Sequence, residues 1–305
     1  MENQKRYAIF ISAYRNTKIK TLQTLTRCGY IDHSNIYIIV GIDDPNLEEF
    51  KEKYKDHCII FDKEKDALPY IDTCINKENF TYLSTVFTST AQMKIAKELG
   101  YKYFMQLDDD SNNFMIRYVY KDKLINIKKT EEGVLDNFIN KAIDILDSSP
   151  KVYGVSFLQA GDLMGGVESL PYVVGKRKFM NTRIYDVEKQ LKFIGLLNED
   201  TTYYTQYGKL GYIFLTLDGL VLDQLDSQNK SSGTGLTSLY AKFGTYIKSF
   251  FSLIVNPSAL KIMVMGGGGK LNENANKRIY NPRIHHFIEW ENICPKILDE
   301  KWRKV

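Results

Sequence analysis

The chain has 305 residues, of which 44% are hydrophobic and 26% are charged. This balance is ordinary for a globular protein, so it excludes the disordered and fibrous classes. The net charge of +4 permits a polyanionic partner without requiring one. The four cysteines are widely spaced and form no Cys-x-x-Cys pair, which argues against a zinc or redox site.

The amino terminus leads directly into a short strand-like segment, and no signal peptide is visible. The most apolar late segment, residues 250–255, is too short to span a bilayer and is followed by Asn256 and Pro257. The sequence therefore predicts a cytoplasmic protein without a membrane segment.

The first 110 residues alternate between strand-like and helix-like segments. Strands are predicted at residues 7–11, 36–40 and 57–61, and a fourth begins at Tyr101. Helices are predicted between the first two strands, at residues 18–29, and before the fourth, at residues 84–100. This order is typical of a doubly wound α/β sheet.

Later elements follow a mixed pattern. Helices are predicted at residues 131–147 and from Glu199, and further helix-like sequence extends from Leu236 towards Val255. Strands are predicted at residues 153–158 and 260–264. The Gly- and Ser-containing stretch 229–235 is predicted to be a mobile loop rather than a domain boundary.

Three consecutive carboxylates, Asp108, Asp109 and Asp110, follow the aromatic and aliphatic strand that begins at Tyr101. Adjacent acids repel one another, and a hard divalent cation relieves that repulsion. The pattern therefore favours a metal-phosphate site, although a solvated turn or a helix N-cap is the alternative for such a cluster taken alone.

Polar residues also follow the other predicted strands. Ser12, Tyr14 and Arg15 come after the first strand, and Asp43 and Asp44 come after the second. Ligands of open α/β sheets bind beyond the carboxyl ends of the strands, so these loops are predicted to converge with the acidic cluster.

A second acidic pair, Glu199 and Asp200, precedes a tyrosine-rich helix that a glycine ends. Acidic residues in a first helical turn are also the norm for helix capping, so this pair alone is a weak signal. We interpret this pair only together with the aspartates at the strand end and the earlier Asp-Asp loop.

Together these three acidic features resemble the GT-A fold of nucleotide-sugar glycosyltransferases. The resemblance covers residues 6–110 and the acceptor-side region through Tyr212, and the segment from Gln92 to Tyr101 is similar to the helix that precedes the Asp motif in these enzymes. More closely, residues 106–110 followed by residues 198–203 look like the TET-associated glycosyltransferases of bacteriophages, which modify hydroxymethylated pyrimidines in DNA, such as 5-hydroxymethylcytosine.

The resemblance implies roles for individual residues. Asp108 and Asp110 match the Asp-x-Asp motif that holds Mn²⁺ or Mg²⁺ against the diphosphate of a UDP-sugar. Asp43 matches an acid that contacts uracil or ribose, and Asp200 matches the general base of inverting members, with Glu199 shaping the site. The whole set implied at the donor site is Ser12, Tyr14, Arg15, Asp43, Asp44, Gln92, Asp108 and Asp109.

Many enzymes of this fold add a carboxy-terminal histidine as a further metal ligand. His285 and His286 are two of the four histidines of the chain, and adjacent residues of a strand point to opposite faces, so only one of them could serve. Structural roles for both remain open. Basic groups at residues 176–178 and 277–278 could follow a phosphate backbone, although solvated surface lysines explain them equally well.

The prediction is an α/β protein of GT-A-like fold, with a single Rossmann-type mixed sheet flanked by helices and a C-terminal acceptor-side extension. Residues 1–110 would form the nucleotide-sugar-binding half, and residues 111–305 the acceptor-binding half and extension of the same domain. The predicted function is metal-dependent transfer of a sugar from a UDP-sugar to hydroxymethylpyrimidine in double-stranded DNA, with inversion if Asp200 is the base.

Three alternatives stay open at this stage. The acceptor could be a glycan or another small molecule, which a DNA-binding assay would test. The acidic sites could instead serve a metal-dependent nucleotidyltransferase or nuclease, and release of UDP from a donor would decide against that. A non-catalytic DNA-binding module would leave the two acidic sites unexplained.

Overall fold

The structure is a computed structural model that describes residues 6–72, 85–163, 166–168, 177–189, 191–224, 244, 246–267, 271–272, 277–278 and 281–293. The strands, numbered in chain order within these residues, are β1 (Tyr7–Ser12), β2 (Ile36–Gly41), β3 (Cys58–Phe61), β4 (Ile71–Asp72), β5 (Tyr103–Asp108), β6 (Ser111–Tyr120), β7 (Lys123–Ile127), β8 (Val152–Gln159), β9 (Arg183–Asp186), β10 (Phe193–Ile194), β11 (Ile213–Gln224), β12 (Leu260–Gly267), β13 (Leu271–Asn272), β14 (Lys277–Arg278) and β15 (Asn281–Ile288). The helices are α1 (Lys20–Arg27), α2 (Leu47–Tyr54), α3 (Val86–Glu98), α4 (Val134–Asp147), α5 (Glu199–Gly208), α6 (Ile247–Val255) and α7 (Trp290–Ile293).

The central sheet of the described residues has nine strands in the order β3-β2-β1-β5-β9-β8-β11-β6-β7. Strands β1, β2, β3 and β5 are parallel to their neighbours within this group. Strand β9 is antiparallel to both β5 and β8, and β8 is parallel to β11. The carboxyl ends of β1, β2, β5, β8 and β11 therefore lie at the same edge of the sheet.

Hydrophobic cores lie on both faces of this sheet, because the inner strands are apolar on both sides. In β1, Ile9 and Ile11 pack on one face with residues of α1, α2 and α4, whereas Ala8 and Phe10 pack on the other face with residues of α3 and α5. This alternation follows from the two-residue period of a strand. Full burial of each large apolar side chain contributes about 1.5–3 kcal/mol, which explains why a strand buried on both faces has a continuous apolar sequence.

The predicted fold class is confirmed: a mixed α/β sheet is flanked by helices. The antiparallel pair β12–β15, packed with α6, forms the C-terminal extension. Of the helix predicted from Leu236, the described part is α6, and residues 236–243 and the predicted loop at 229–235 lie outside the described residues. The β6–β7 hairpin was not predicted. No helix in the described ranges is long and apolar enough to cross a membrane.

Candidate active site at the sheet edge

The first loop, helix α3 and the acidic cluster meet at the carboxyl edge of the sheet. Ser12, the last residue of β1, lies opposite Asp108, the last residue of β5, in the parallel register. The wholly buried Gln92 of α3 donates a hydrogen bond from Nε2 to Oγ of Ser12 over 3.0 Å. The predicted convergence of the first loop with the acidic cluster is therefore present in the structure.

The turn that carries Asp109 and Asp110 is held by helix α1. The backbone N–H of Thr21 donates to the carbonyl oxygen of Asp109 over 3.1 Å, and the N–H of Ser111 donates to Oγ1 of Thr21 over 3.0 Å. The acidic turn is thus fixed on both sides by one threonine of the neighbouring helix. The end of β5 and these two hydrogen bonds therefore determine where the carboxylates lie.

Gln224, which was not predicted from the sequence, joins the two outer aspartates. Its Nε2 donates to Oδ2 of Asp108 over 2.8 Å and to Oδ1 of Asp110 over 2.6 Å. Its Oε1 accepts from Nδ2 of Asn181 over 2.8 Å, which fixes the orientation of the amide. Two carboxylate oxygens that contact one nitrogen atom lie close together, so Asp108 and Asp110 face a common point.

The acidic turn carries more negative charge than its protein surroundings neutralise. Burial raises the pKa of Asp109 to about 7, with contributions from the charges of Asp108 and Asp110. Burial and Asp108 also raise the pKa of Asp110, and the hydrogen bond from Gln224 opposes that rise. Hard oxygen ligands in such a field have the chemistry that Mn²⁺ and Mg²⁺ require, so Asp108 and Asp110 fit a divalent cation.

The loops after β1 and β2 are joined by Asp44. This buried carboxylate accepts the N–H of Arg15 at Oδ2 and the N–H of Asn46 at Oδ1, both over 2.8 Å. Arg15 has a φ of 63°, a conformation that costs energy for a residue with a side chain. Asp44 therefore holds the first loop in an otherwise unfavourable conformation, and this is the structural role that the described contacts give it.

Asp43, Tyr14 and Arg15 form a more open group beside this junction. Oδ2 of the half-exposed Asp43 accepts a hydrogen bond from Nζ of Lys63 over 2.8 Å. The guanidinium of Arg15 lies over the ring of Tyr14, at 4.8 Å from its centroid, and Nζ of Lys63 is 5.7 Å from the same centroid. A ring, two cations and an acid could contact a base, ribose and phosphate. Lys63 was not predicted.

The second acidic pair lies at the start of α5, as predicted. Oε1 of the buried Glu199 accepts from Oγ1 of Thr85 over 2.7 Å. Burial raises the pKa of Glu199, the charge of Asp200 adds to this, and Arg183 opposes it. The half-buried Asp200 accepts the N–H of Thr201 at Oδ1 over 2.8 Å. The two carboxylates therefore occupy different environments.

Arg183 of β9 links the two acidic sites electrostatically. It is buried, and its Nη2 donates to Oγ of Ser89 over 3.0 Å, whereas its Nε and Nη1 have no hydrogen-bond partner among the described residues. Burial lowers the pKa of Arg183, but the net shift is upward because Tyr185, Glu199, Asp200 and Asp108 act on it. One buried cation therefore interacts with both acidic sites. Arg183 was not among the residues predicted for the site.

The two predicted histidine ligands lie on β15. Burial lowers the pKa of His286 to about 3, and Lys178, His285 and Lys248 lower it too. Its Nδ1 is 3.5 Å from Oγ of Ser249, and Nδ1 of His285 is 2.8 Å from the carbonyl oxygen of His286. Within the described part of the chain no group of three or more His, Cys, Asp or Glu side chains is arranged to hold a metal. A histidine ligand thus stays a prediction.

Comparisons with solved structures find similar proteins. Glucosyl-3-phosphoglycerate synthase from Mycobacterium tuberculosis, in complex with Mn²⁺, UDP and phosphoglyceric acid, matches with 10% identity and a TM-score of 0.41, over 92% of this chain and 87% of that one. A mannosyltransferase from Pyrobaculum calidifontis, in complex with GDP-Man and Mn²⁺, matches with 12% identity and a TM-score of 0.42, over 74% and 58% of the two chains. Comparison with curated proteins gives no significant match.

A match to a protein-family model shows which family the chain belongs to. The model described as TET-associated glycosyltransferase matches residues 7–233, which include the loops after β1 and β2, the acidic turn, and Gln224. The match also includes Arg183 and the acidic pair of α5. The chain belongs to the TET-associated glycosyltransferase family, and it is therefore a glycosyltransferase.

Proposed function

We propose that this glycosyltransferase uses a UDP-sugar and Mn²⁺ or Mg²⁺ to modify hydroxymethylpyrimidine, such as 5-hydroxymethylcytosine, in double-stranded DNA. The observation that carries the proposal is the shared electrostatic environment of the two acidic sites. Arg183 interacts with Asp108 at one site and with Glu199 and Asp200 at the other. Helix α3 also contacts both sites, because Gln92 donates to Ser12 opposite Asp108, and Thr85 at its N-cap donates to Glu199. Transfer between two substrates requires the donor site and the base to be neighbours.

The donor is assigned to the half formed by residues 1–110. Asp108 and Asp110 would hold the cation, because their oxygens face a common point and their mutual repulsion is only partly relieved. The bound ion would neutralise charge on the departing diphosphate. Mg²⁺ is commonly bound by one or two carboxylates together with substrate phosphates, so a protein contribution of two carboxylates is sufficient. Tyr14, Arg15 and Asp43 would contact the nucleotide.

The acceptor is assigned to the half formed by residues 111–305, with Asp200 as general base. One oxygen of Asp200 accepts the N–H of Thr201, which orients the carboxylate and leaves its second oxygen for the substrate. That oxygen would take the proton of the acceptor hydroxyl while the hydroxyl oxygen bonds to the anomeric carbon and the bond to the diphosphate breaks. A single displacement of this kind inverts the anomeric configuration.

Glu199 and Arg183 would prepare the site rather than exchange protons with the substrate. Burial raises the pKa of Glu199 and so disfavours its charged form, and we therefore assign the base to Asp200, the half-buried member of the pair. Arg183 balances the remaining negative charge between the two halves of the site. This difference between two neighbouring carboxyl groups supports the role given to Asp200.

The test is a screen of nucleotide sugars for release of UDP, with Mn²⁺ and with chelator. We expect one donor to be hydrolysed slowly without acceptor, and faster with duplex DNA that contains hydroxymethylpyrimidine. Duplex DNA with unmodified pyrimidines is the matched control, since it lacks the hydroxymethyl nucleophile. Equal rates with both duplexes would remove the DNA acceptor from the proposal, and full activity in chelator would remove the cation.

A further inference from the structure

The β6–β7 hairpin holds an unusual concentration of positive charge. Residues 111–129 include five Lys or Arg and one Asp, a net charge of +4, which equals the net charge of the whole chain. The rest of the sequence therefore has no formal net charge. Lys121, Lys123, Lys128 and Lys129 are all exposed, and none of them forms an ion pair with a residue that the structure describes.

These lysines are distributed along the hairpin from the acidic turn outwards. Strand β6 begins at Ser111, directly after Asp110, and strand β7 returns towards it. Nδ2 of Asn113 donates to the carbonyl oxygen of Lys128 over 3.0 Å, so Lys128 and Lys129 lie near the acidic turn. Lys121 and Lys123 lie at the far end. At about 3.3 Å per residue, the eight residues from Asp110 to Tyr118 span about 25 Å.

The outer surface of the hairpin is also unusually apolar for an exposed strand pair. Tyr118, Tyr120 and Ile127 are 42%, 56% and 41% exposed. Tyr118 lies opposite Ile125, and Tyr120 lies opposite Lys123, so rings and a lysine share one face. Strand β7 is the last strand of the sheet order. Exposed apolar patches mark interaction sites, and positively charged surfaces that carry aromatic side chains bind nucleic-acid strands in other proteins.

The hairpin is anchored to the acceptor side of the candidate active site. Arg117 is buried, and it donates to Oδ1 of Asn126 over 2.8 Å and to the carbonyl oxygen of Asp162 over 3.1 Å. A cavity of about 450 Å³ separates the hairpin from the loop that carries Asp162. The carboxylate of Asp162 pairs with Arg177, and the next residue, Lys178, is within electrostatic range of both Asp162 and Asp200.

The same contacts make the basic group predicted at residues 176–178 a poor phosphate-binding surface. Arg177 is paired with Asp162, Lys178 is partly buried, and Lys176 lies outside the described residues. Within the described ranges, the hairpin presents several unpaired and exposed lysines, whereas the group at residues 176–178 does not.

We infer that the β6–β7 hairpin binds the phosphate backbone of the acceptor duplex and holds the DNA alongside the active site. This inference rests on the proposed function. A duplex carries one negative charge per about 1.7 Å, so about 25 Å of duplex presents about 15 charges, ample for four lysines. The hairpin contacts backbone and not base edges, and the choice of the modified base belongs to the active site.

The experiment compares two variants of the full chain. The hairpin variant carries Lys→Gln changes at Lys121, Lys123, Lys128 and Lys129. The control variant carries Lys→Gln changes at four exposed lysines outside the hairpin, namely Lys51, Lys97, Lys141 and Lys151. Each variant lowers the formal net charge from +4 to 0, so a general charge effect is matched. Affinity for hydroxymethylated duplex DNA is measured at several salt concentrations, together with donor hydrolysis without DNA.

The hairpin variant should bind DNA at least about tenfold more weakly at low salt, with a salt dependence less steep by about 2–4 in log K against log salt. The control variant should retain the wild-type slope, and both should hydrolyse the donor as the wild type does. If the wild type binds and modifies DNA and both variants behave alike, the hairpin assignment is wrong while the proposed function stands. If the wild type neither binds nor modifies DNA, the DNA acceptor is wrong as well.

Discussion

Gln224 gives the sharpest test of how the acidic turn is stabilised. We expect Gln224→Ala to lower the thermal stability of the protein in chelator, because both hydrogen bonds from its amide end on carboxylates. Hydrogen bonds to charged groups contribute about 1.5–3 kcal/mol each, and the lower value suits this partly buried site. The expected loss is therefore about 3 kcal/mol in the free energy of unfolding.

That loss converts to a measurable shift in melting temperature. An unfolding entropy of about 2.1 cal/mol/K per residue gives about 0.6 kcal/mol/K for a chain of this length, so the melting temperature should fall by about 5 °C. Saturating Mn²⁺ should narrow the difference, since a bound cation relieves the same repulsion between Asp108 and Asp110. Gln206→Ala, at a half-buried position of α5, is the matched control.

The assay is thermal unfolding followed by circular dichroism or differential scanning fluorimetry, with EDTA and with excess MnCl₂. We expect a larger Mn²⁺-induced rise in melting temperature for Gln224→Ala than for the wild type or for Gln206→Ala. This expectation would be refuted if Gln224→Ala and the wild type had the same melting temperature in EDTA. A melting-temperature difference between Gln224→Ala and the wild type that widens on adding Mn²⁺ would also refute this expectation. The Gln224 amide would then help to bind the ion instead of taking its place.

Three further predictions concern individual carboxylates. Asp110→Ala should abolish transfer and sharply weaken Mn²⁺-dependent UDP binding by calorimetry, and normal turnover would make the acidic turn structural. Asp200→Asn should lose several orders of magnitude in transfer rate while UDP affinity changes by less than about tenfold, and a comparable loss of both would assign Asp200 to the donor site. Glu199 has a pKa raised by burial, so its proton stabilises the fold at low pH and that stabilisation is lost as pH rises through the folded-state pKa. As pH rises above the pKa of an unperturbed glutamate, Glu199→Gln should therefore lose less stability than the wild type in melting experiments, and parallel pH profiles would contradict the raised pKa.

The parallel half of the fold was predictable because its signals are local. Strand β1 is apolar at consecutive positions, which indicates burial on both faces, and the polar loop that follows it marks the ligand-binding edge. The acidic turn was located for the same reason, because Asp108 ends an apolar strand and Asp110 follows it. Cation binding by these two residues stays a prediction. The start of α5 at Glu199 was also predicted from its acidic first turn and the glycine that ends the helix.

Other parts of the site depend on contacts between distant segments. Gln224 lies 116 and 114 positions from the two aspartates that it joins. Arg183 looks like an ordinary surface cation in the sequence, and its role follows from the pairing of β9 between β5 and β8. The β6–β7 hairpin was not predicted because β6 begins with Ser111, Asn112 and Asn113, which are residue types common in turns.

The most direct test of the proposed function is the mass of DNA after incubation with the enzyme, a UDP-sugar and Mn²⁺. Two duplexes of identical sequence are compared, one with hydroxymethylpyrimidine and one with the unmodified base, and Asp200→Asn serves as the inactive control. The account predicts that one sugar mass is added per hydroxymethylated base, only with the wild-type enzyme. Donor turnover that adds no mass to hydroxymethylated DNA, together with transfer to a free glycan, would contradict the assigned acceptor.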